Sequence, residues 1–278
     1  MTEFRIGGEW AVPRLGYGAM HLTAPSGPDR AESITVVRRA VELGVRLIDT
    51  AYMYGGGANE ELLAAALHPY PRDLLIATKV GISLPRPGEW VVDGRPEVLR
   101  DQVDGALRRL RVERIGLLQL HRRDPAVPLS DQLGALRDAQ AAGKVAHLGL
   151  SEIALGELHE ARRIIDVASV QNRYNVLDRE HEPVVRACTE AGIAFLPWRP
   201  VAHGATGGTA EVAAVATELG ATATQVSLAW LLHRSPAVLP IPSTTSLAHL
   251  AQNVAAARIP LTAEQVARLD RIVVPGST

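Results

Sequence analysis

The feature that most constrains this chain is a recurring alternation. Short, unbroken apolar runs are each followed by a longer stretch that carries its apolar residues on one helical face. The runs are Leu15–Gly18, Arg46–Asp49, Leu74–Lys79, Ile115–His121, Val145–Ser151, Ala168–Asn172, Ala194–Trp198 and Val238–Pro242. They are continuous rather than alternating, the pattern of strands in a parallel sheet covered on both faces. Between them, Glu32–Leu43 places Ile34, Val37 and Val41 on one face and stops at Gly44, a residue suited to the left-handed position after a helix. Glu97–Leu110 aligns Leu99, Val103, Leu107 and Leu110, and Leu129–Ala142 aligns Leu129, Leu133 and Leu136 before Gly143. Leu155–Ile165, Arg179–Ala191 and Ala248–Ala256 continue the series. The alternation predicts an α/β fold, a (β/α)8 TIM barrel formed as a single domain over residues 1–278.

An open doubly wound sheet is the rival. It would normally bring a Gly-x-Gly-x-x-Gly turn after its first strand. Here Leu15-Gly16-Tyr17-Gly18-Ala19-Met20 runs into a loop with Pro25, Gly27 and Pro28, and Gly55-Gly56-Gly57 lacks the spacing. The barrel is favoured. Three additions are expected. Phe4 to Val12 reads as a β-hairpin turning at Gly7-Gly8. Thr209–Leu219 and Thr224–His233 both fall between the last two strands, so one is extra to the repeat. Thr262–Ile272, opening on Thr262 and Gln265, is an added C-terminal helix with a capping box.

Bulk properties narrow the function. A formal net charge of -1, with 21% charged residues, gives no electrostatic footprint for nucleic acid or an anionic membrane. No apolar run reaches spanning length. The opening residues carry Glu3, Arg5 and Glu9 where a signal peptide would be apolar, and Cys188 is the single cysteine. A cytoplasmic protein without disulfides is expected.

In such a barrel the chemistry sits at the C-terminal ends of the strands. Asp49 ends the second strand, Lys79 the third and His121 the fourth, while Tyr54 follows Asp49 on the adjoining loop. Taken singly, each has an ordinary explanation: a loop-organising Asp, a snorkelling Lys, a packed His or Tyr. Together they compose a catalytic group. A Lys beside a Tyr hydroxyl favours phenolate and lowers the phenol pKa, and an Asp paired with that Lys fixes its position. Tyr54 is then a proton donor near neutral pH, and His121 can orient or polarise a carbonyl oxygen. The histidines show no spacing that argues for a metal site.

These residues resemble a known family. Leu47-Ile48-Asp49-Thr50-Ala51-Tyr52-Met53-Tyr54-Gly55 is similar to the aldo-keto reductase signature, Ile76 to Gly81 to its lysine strand, and Leu117 to Arg122 to its histidine strand. Gly149-Leu150-Ser151-Glu152 and Val170 to Asn175 resemble the segments that hold the nicotinamide carboxamide, through Ser151 and Gln171. Trp198 stands where an aromatic residue stacks on the nicotinamide ring, followed by Arg199 and Pro200. Pro240 to Thr245, then His249 to Asn253, resembles the clasp on the adenosine end. The resemblance implies hydride transfer from a nicotinamide cofactor to a carbonyl, with Asp49, Tyr54, Lys79 and His121 catalytic. It implies cofactor contacts from Gly18, Met20, Asp49, Ser151, Gln171, Trp198, Arg199, Pro200, Ile241, Ser243, Thr244, His249, Gln252 and Asn253.

The resemblance is closest to a bacterial branch that includes pyridoxal reductases, on Leu15 to Met20, Ala229 to Leu232 and Val254 to Ala256. His121 is a departure, since at least one such pyridoxal reductase lacks it. The expected partner is a small carbonyl compound such as pyridoxal, met by Met20, Tyr52, Trp90, Arg122 and Trp198. A second departure touches the cofactor. Members that prefer NADPH often carry Lys or Arg where Ser243 and Thr245 stand, so NADPH is expected with NADH also usable. The alternative class is a nicotinamide-sensing regulatory subunit with slow turnover. An isomerase or hydrolase on the same barrel would need a paired-carboxylate or metal site that the strand ends lack.

Overall fold

A computed structural model describes residues 3–22, 28–86, 88–201 and 210–272. Seven parallel strands form one sheet in the order β11-β10-β9-β8-β5-β4-β3. They are β3 (Tyr17–Gly18), β4 (Leu47–Asp49), β5 (Leu75–Val80), β8 (Ile115–Leu120), β9 (Val145–Ser151), β10 (Val167–Gln171) and β11 (Ala194–Phe195). The segment 237–242 closes the sheet into a barrel. Phe195 N–H donates to Ala237 O and Leu239 N–H to Phe195 O, each at 2.8 Å. On its other side Pro240 O and Pro242 O accept from Gly16 and Gly18 at 3.0 and 3.1 Å. Pro240 and Pro242 have no N–H to give, so this eighth segment pairs with β3 through carbonyls alone and forms no regular ladder.

Helices cover the sheet. They are α1 (Pro28–Glu42), α2 (Ala58–Leu67), α3 (Pro96–Leu110), α4 (Leu129–Ala141), α5 (Leu155–Ala161) and α6 (Glu182–Ala191), then α7 (Ala210–Leu219), α8 (Ala223–Arg234), α9 (Leu247–Ala255) and α10 (Ala263–Asp270). Neighbours from α1 to α6 touch in sequence, and α9 meets α1. α1 ends where the pattern predicts: Gly44 takes φ +92, and Val45 N–H reaches back to Ala40 O at 3.0 Å. α10 has its expected cap, with Thr262 Oγ1 accepting from Gln265 N–H and the Gln265 side chain accepting from Thr262 N–H. Other boundaries differ. α6 begins at Glu182, not Arg179, because Pro183 favours the first helical turn. The loop expected around Pro25 and Gly27, and the start of a helix at Thr209, fall outside the described residues.

The sequence pattern missed α2 altogether. Its buried residues include Asn59, Glu60, Leu62, Leu63, Ala64 and Ala66, so no single apolar stripe marks it. Also unanticipated is a second hairpin, β6 (Ile82–Ser83) with β7 (Val91–Val92), after the lysine strand.

The N-terminal hairpin, β1 (Glu3–Ile6) and β2 (Trp10–Pro13), seals the end of the barrel opposite the chemistry. Ile6 and Val12 are fully buried in one apolar cluster with Leu47, Leu75, Leu117, Ala194 and Leu239 from the strands. Burying each of those two side chains is worth about 1.5–3 kcal/mol. The floor is thereby packed with apolar side chains, and the open end is left to polar groups.

Candidate active site

Asp49 is the last residue of β4, Lys79 the penultimate residue of β5, and His121 follows β8 directly. Tyr54 opens a short 3-10 turn, Tyr54–Gly57, on the loop after β4. Parallel pairing sets the levels: Asp49 opposite Ala77 and Gly18, and Lys79 opposite Gln119. The structure brings the four side chains together.

Lys79 is fully buried and spends its ammonium on three oxygens. It donates to Asp49 Oδ2 at 2.6 Å, to Thr50 O at 2.8 Å and, more distantly, to the Tyr54 hydroxyl at 3.5 Å. Burial opposes its charge, but the Asp49 carboxylate and the Tyr54 oxygen outweigh that and raise its pKa. Lys79 is held as a cation. The other carboxylate oxygen, Asp49 Oδ1, accepts from Gln171 Nε2 at 2.8 Å and Gln119 Nε2 at 3.2 Å. All of Asp49's partners are donors, as a buried carboxylate requires.

The Tyr54 pKa moves in the direction opposite to the one expected from Lys79 alone. Burial and the Asp49 charge together prevail over the lowering effect of Lys79, and its pKa lies above the ordinary value. The Tyr54 phenol therefore ionises less readily than a free tyrosine. His121 stands edge-on to it, with ring centroids 6.3 Å apart at 90°. Its own pKa is well below the usual histidine value, from burial first and then the charges of Lys79 and Arg122. The imidazole is neutral, and its buried Nδ1 has no protein hydrogen-bond partner.

Asp49, Tyr54 and His121 face a cavity of about 730 Å3, with Lys79 buried behind them. Its wall includes Gly18, Met20, Asp49, Ser151, Gln171, Trp198, Arg199 and Pro200, then Ile241, Ser243, Thr244, His249, Gln252 and Asn253. Gly18 permits a close approach of strands there, since a Cβ would lie 2.8 Å from Ile241 O. At the catalytic end Arg122 donates to Ser151 Oγ at 3.3 Å and to His121 O at 3.0 Å. Burial lowers the Arg122 pKa, partly offset by Glu152 and Tyr54.

Two residues assigned to substrate are not brought to this cavity. The Tyr52 ring is covered by the Arg109 guanidinium, 5.0 Å from its centroid, and Arg109 in turn binds the buried Glu60 at 2.7 Å. Trp90 lies half-exposed beside β7. Neither is among the lining residues. Conversely, sequence reasoning missed His21, Met53, Val201, Thr222 and Thr224 on the wall. It missed Gln119 behind Asp49 as well, although strand alternation puts it on the same face as His121, two residues on.

Comparison with known proteins agrees with this geometry. Residues 14–274 match the model described as the Aldo/keto reductase family. The chain is 41% identical over 268 residues to an uncharacterised oxidoreductase of Schizosaccharomyces pombe, covering 95% of this chain and 87% of that one. It is 38% identical over 275 residues to the pyridoxine 4-dehydrogenase of Escherichia coli K12, covering 95% and 96%. The crystal structure of an aldo-keto reductase from Klebsiella pneumoniae in complex with NADPH has a TM-score of 0.87 at 26% identity, over 100% of this chain and 96% of that one. By its barrel, its strand-end residues and a match across nearly its whole length, this chain belongs to the Aldo/keto reductase family.

Proposed function

We propose that this protein reduces a small aldehyde or ketone to the alcohol with NADPH, using Tyr54 as the general acid. One observation carries the reading: a buried phenol lies between a paired ammonium and a neutral imidazole, on the wall of a ligand-sized cavity. The residues fit the cofactor. Ser151 and Gln171 offer a hydroxyl and an amide of the kind a carboxamide needs, and Trp198 offers a stacking face. Toward the far end lies the first turn of α9, capped by Ser246 and bearing His249 on the cavity wall, where helix N–H groups favour phosphate. When bound, the cofactor supplies the hydride.

The chain's own groups manage the proton and the oxygen. Tyr54 gives its proton to the carbonyl oxygen as that oxygen gains negative charge. Lys79, fixed by Asp49, stabilises the phenolate left behind. His121, being neutral, can donate one N–H to the same oxygen without competing as a cation. Arg122 borders the substrate end. The 38% identity to a pyridoxine 4-dehydrogenase supports pyridoxal or a similar small carbonyl as substrate. A panel of aldehydes that includes pyridoxal, followed by nicotinamide absorbance, tests this. Turnover of NADPH with pyridoxal is expected. Tight cofactor binding with no turnover on any carbonyl would point to a nicotinamide sensor instead.

A further inference from the structure

Trp198 lies on the cavity wall, and its indole is bonded to a carboxylate far away in sequence. Glu152 Oε1 accepts a hydrogen bond from Trp198 Nε1, and the same oxygen accepts from the Arg173 backbone N–H at 2.8 Å. Glu152 follows Ser151, the last residue of β9, and its own N–H donates to Gln171 O at 3.0 Å. The side chain thus ties together the ends of three consecutive strands: β9 through itself, β10 through Arg173, and β11 through Trp198. Beyond those strands the pairing continues as a bridge between Arg173 and Trp198.

The backbone here enters the left-handed region at two positions. Glu152 has φ +53 and Arg199, the neighbour of Trp198, has φ +46, in a region where non-glycine residues are rare. Such strain persists only where the surroundings over-determine it. The Arg199 guanidinium adds a contact on the ring face, 5.5 Å from the Trp198 ring. The indole is therefore fixed along its edge by a charge-assisted bond and on a face by a cation.

We propose that Glu152 is a positioning residue, whose carboxylate holds the Trp198 indole in the orientation that forms the cavity wall against which the nicotinamide cofactor binds. The part concerning the cofactor rests on the proposed function; the hold on the indole does not.

The test uses three substitutions and two readouts. Glu152→Gln keeps an oxygen acceptor at the same reach. Glu152→Ala removes it. Glu152→Gly removes it too but suits the left-handed backbone, so it should stay folded even if the alanine variant folds poorly. Without cofactor, the emission of Trp198, isolated by subtracting the spectrum of Trp198→Phe, should shift in the Gly and Ala variants and be retained in Gln. NADPH titration should then show binding weakened about tenfold in Gly and Ala, equivalent to about 1.4 kcal/mol. In the Trp198→Phe background the same Glu152 substitutions should add nothing. Unchanged Trp198 emission in Glu152→Gly overturns the proposal. So does an equal loss of NADPH binding in the Trp198→Phe background, which would mean that Glu152 acts by some other route. Wild-type protein that binds no NADPH would instead remove the cofactor reading, with the emission arm still deciding whether Glu152 holds the indole.

Discussion

Replacing Lys79 by methionine removes a cation that Asp49 has no way to replace. Both side chains are buried, at 0% and 3% exposure, and the pair is closed at 2.6 Å. After the substitution Asp49 keeps only the amide donors of Gln171 and Gln119, both on Oδ1, and Oδ2 loses its ion-pair partner. Breaking one side of such a pair costs about 3–5 kcal/mol, because a buried charge is left uncompensated. At about 2–4 °C per kcal/mol for a domain of somewhat smaller size, the melting temperature should fall by roughly 10 °C. Asp49→Asn combined with Lys79→Met removes the stranded charge and should recover much of that loss. Thermal and urea melts of wild type, single and double variants decide it. A double variant no more stable than Lys79→Met alone would refute the electrostatic reasoning, as would a single variant within about 1 kcal/mol of wild type.

Three further outcomes follow from the same geometry. His121 has a depressed pKa and stays neutral in the fold, so it should contribute no acid limb near the ordinary histidine value of about 6.5. kcat/KM should be flat through that range in wild type and keep its shape in His121→Asn while falling in magnitude. The same depression means that the unfolded chain binds this proton more readily, so stability should decrease as pH drops below about 6.5 and less so in His121→Asn. For the cofactor, Ser243 and Thr245 carry no charge for a 2′-phosphate, so NADPH should be preferred over NADH by only about 10- to 100-fold, one charge-assisted contact being worth about 1.5–3 kcal/mol. Thr245→Arg should widen that ratio; a wild-type ratio far above a thousand, measured from the two specificity constants, would mean that a phosphate clamp exists elsewhere.

How much of this could be read from the sequence depends on the range of the interaction. The strands are legible because burial on both faces leaves continuous apolar runs, and Asp49, Lys79 and His121 stand out as ionisable groups closing them. α2 is not, because Glu60 is fully buried there as the partner of Arg109 at 2.7 Å and Thr78 at 2.5 Å, and so looks like a surface acid in the sequence. Tyr52 misleads for the related reason that the residue meeting its ring, Arg109, comes from a helix in the next repeat. The Glu152–Trp198 bond spans 46 residues, and no local spacing marks it. The direction of the Tyr54 pKa shift is likewise invisible, because it is set by a balance between burial and Lys79 that requires coordinates.

Tyr54→Phe tests the central claim most directly, because it removes one hydroxyl and leaves the ring that packs at the end of the cavity. The hydroxyl's hydrogen bond to Lys79 is long, at 3.5 Å, and Lys79 keeps Asp49 and Thr50, so the fold should tolerate the change. Stopped-flow measurement of NADPH oxidation by an aldehyde, alongside NADPH titration of the same protein, separates chemistry from binding. The account predicts nearly unchanged cofactor affinity and a reduction rate lower by about 10²-fold or more, the scale of a positioned acid. A variant that reduces the aldehyde at the wild-type rate would contradict it.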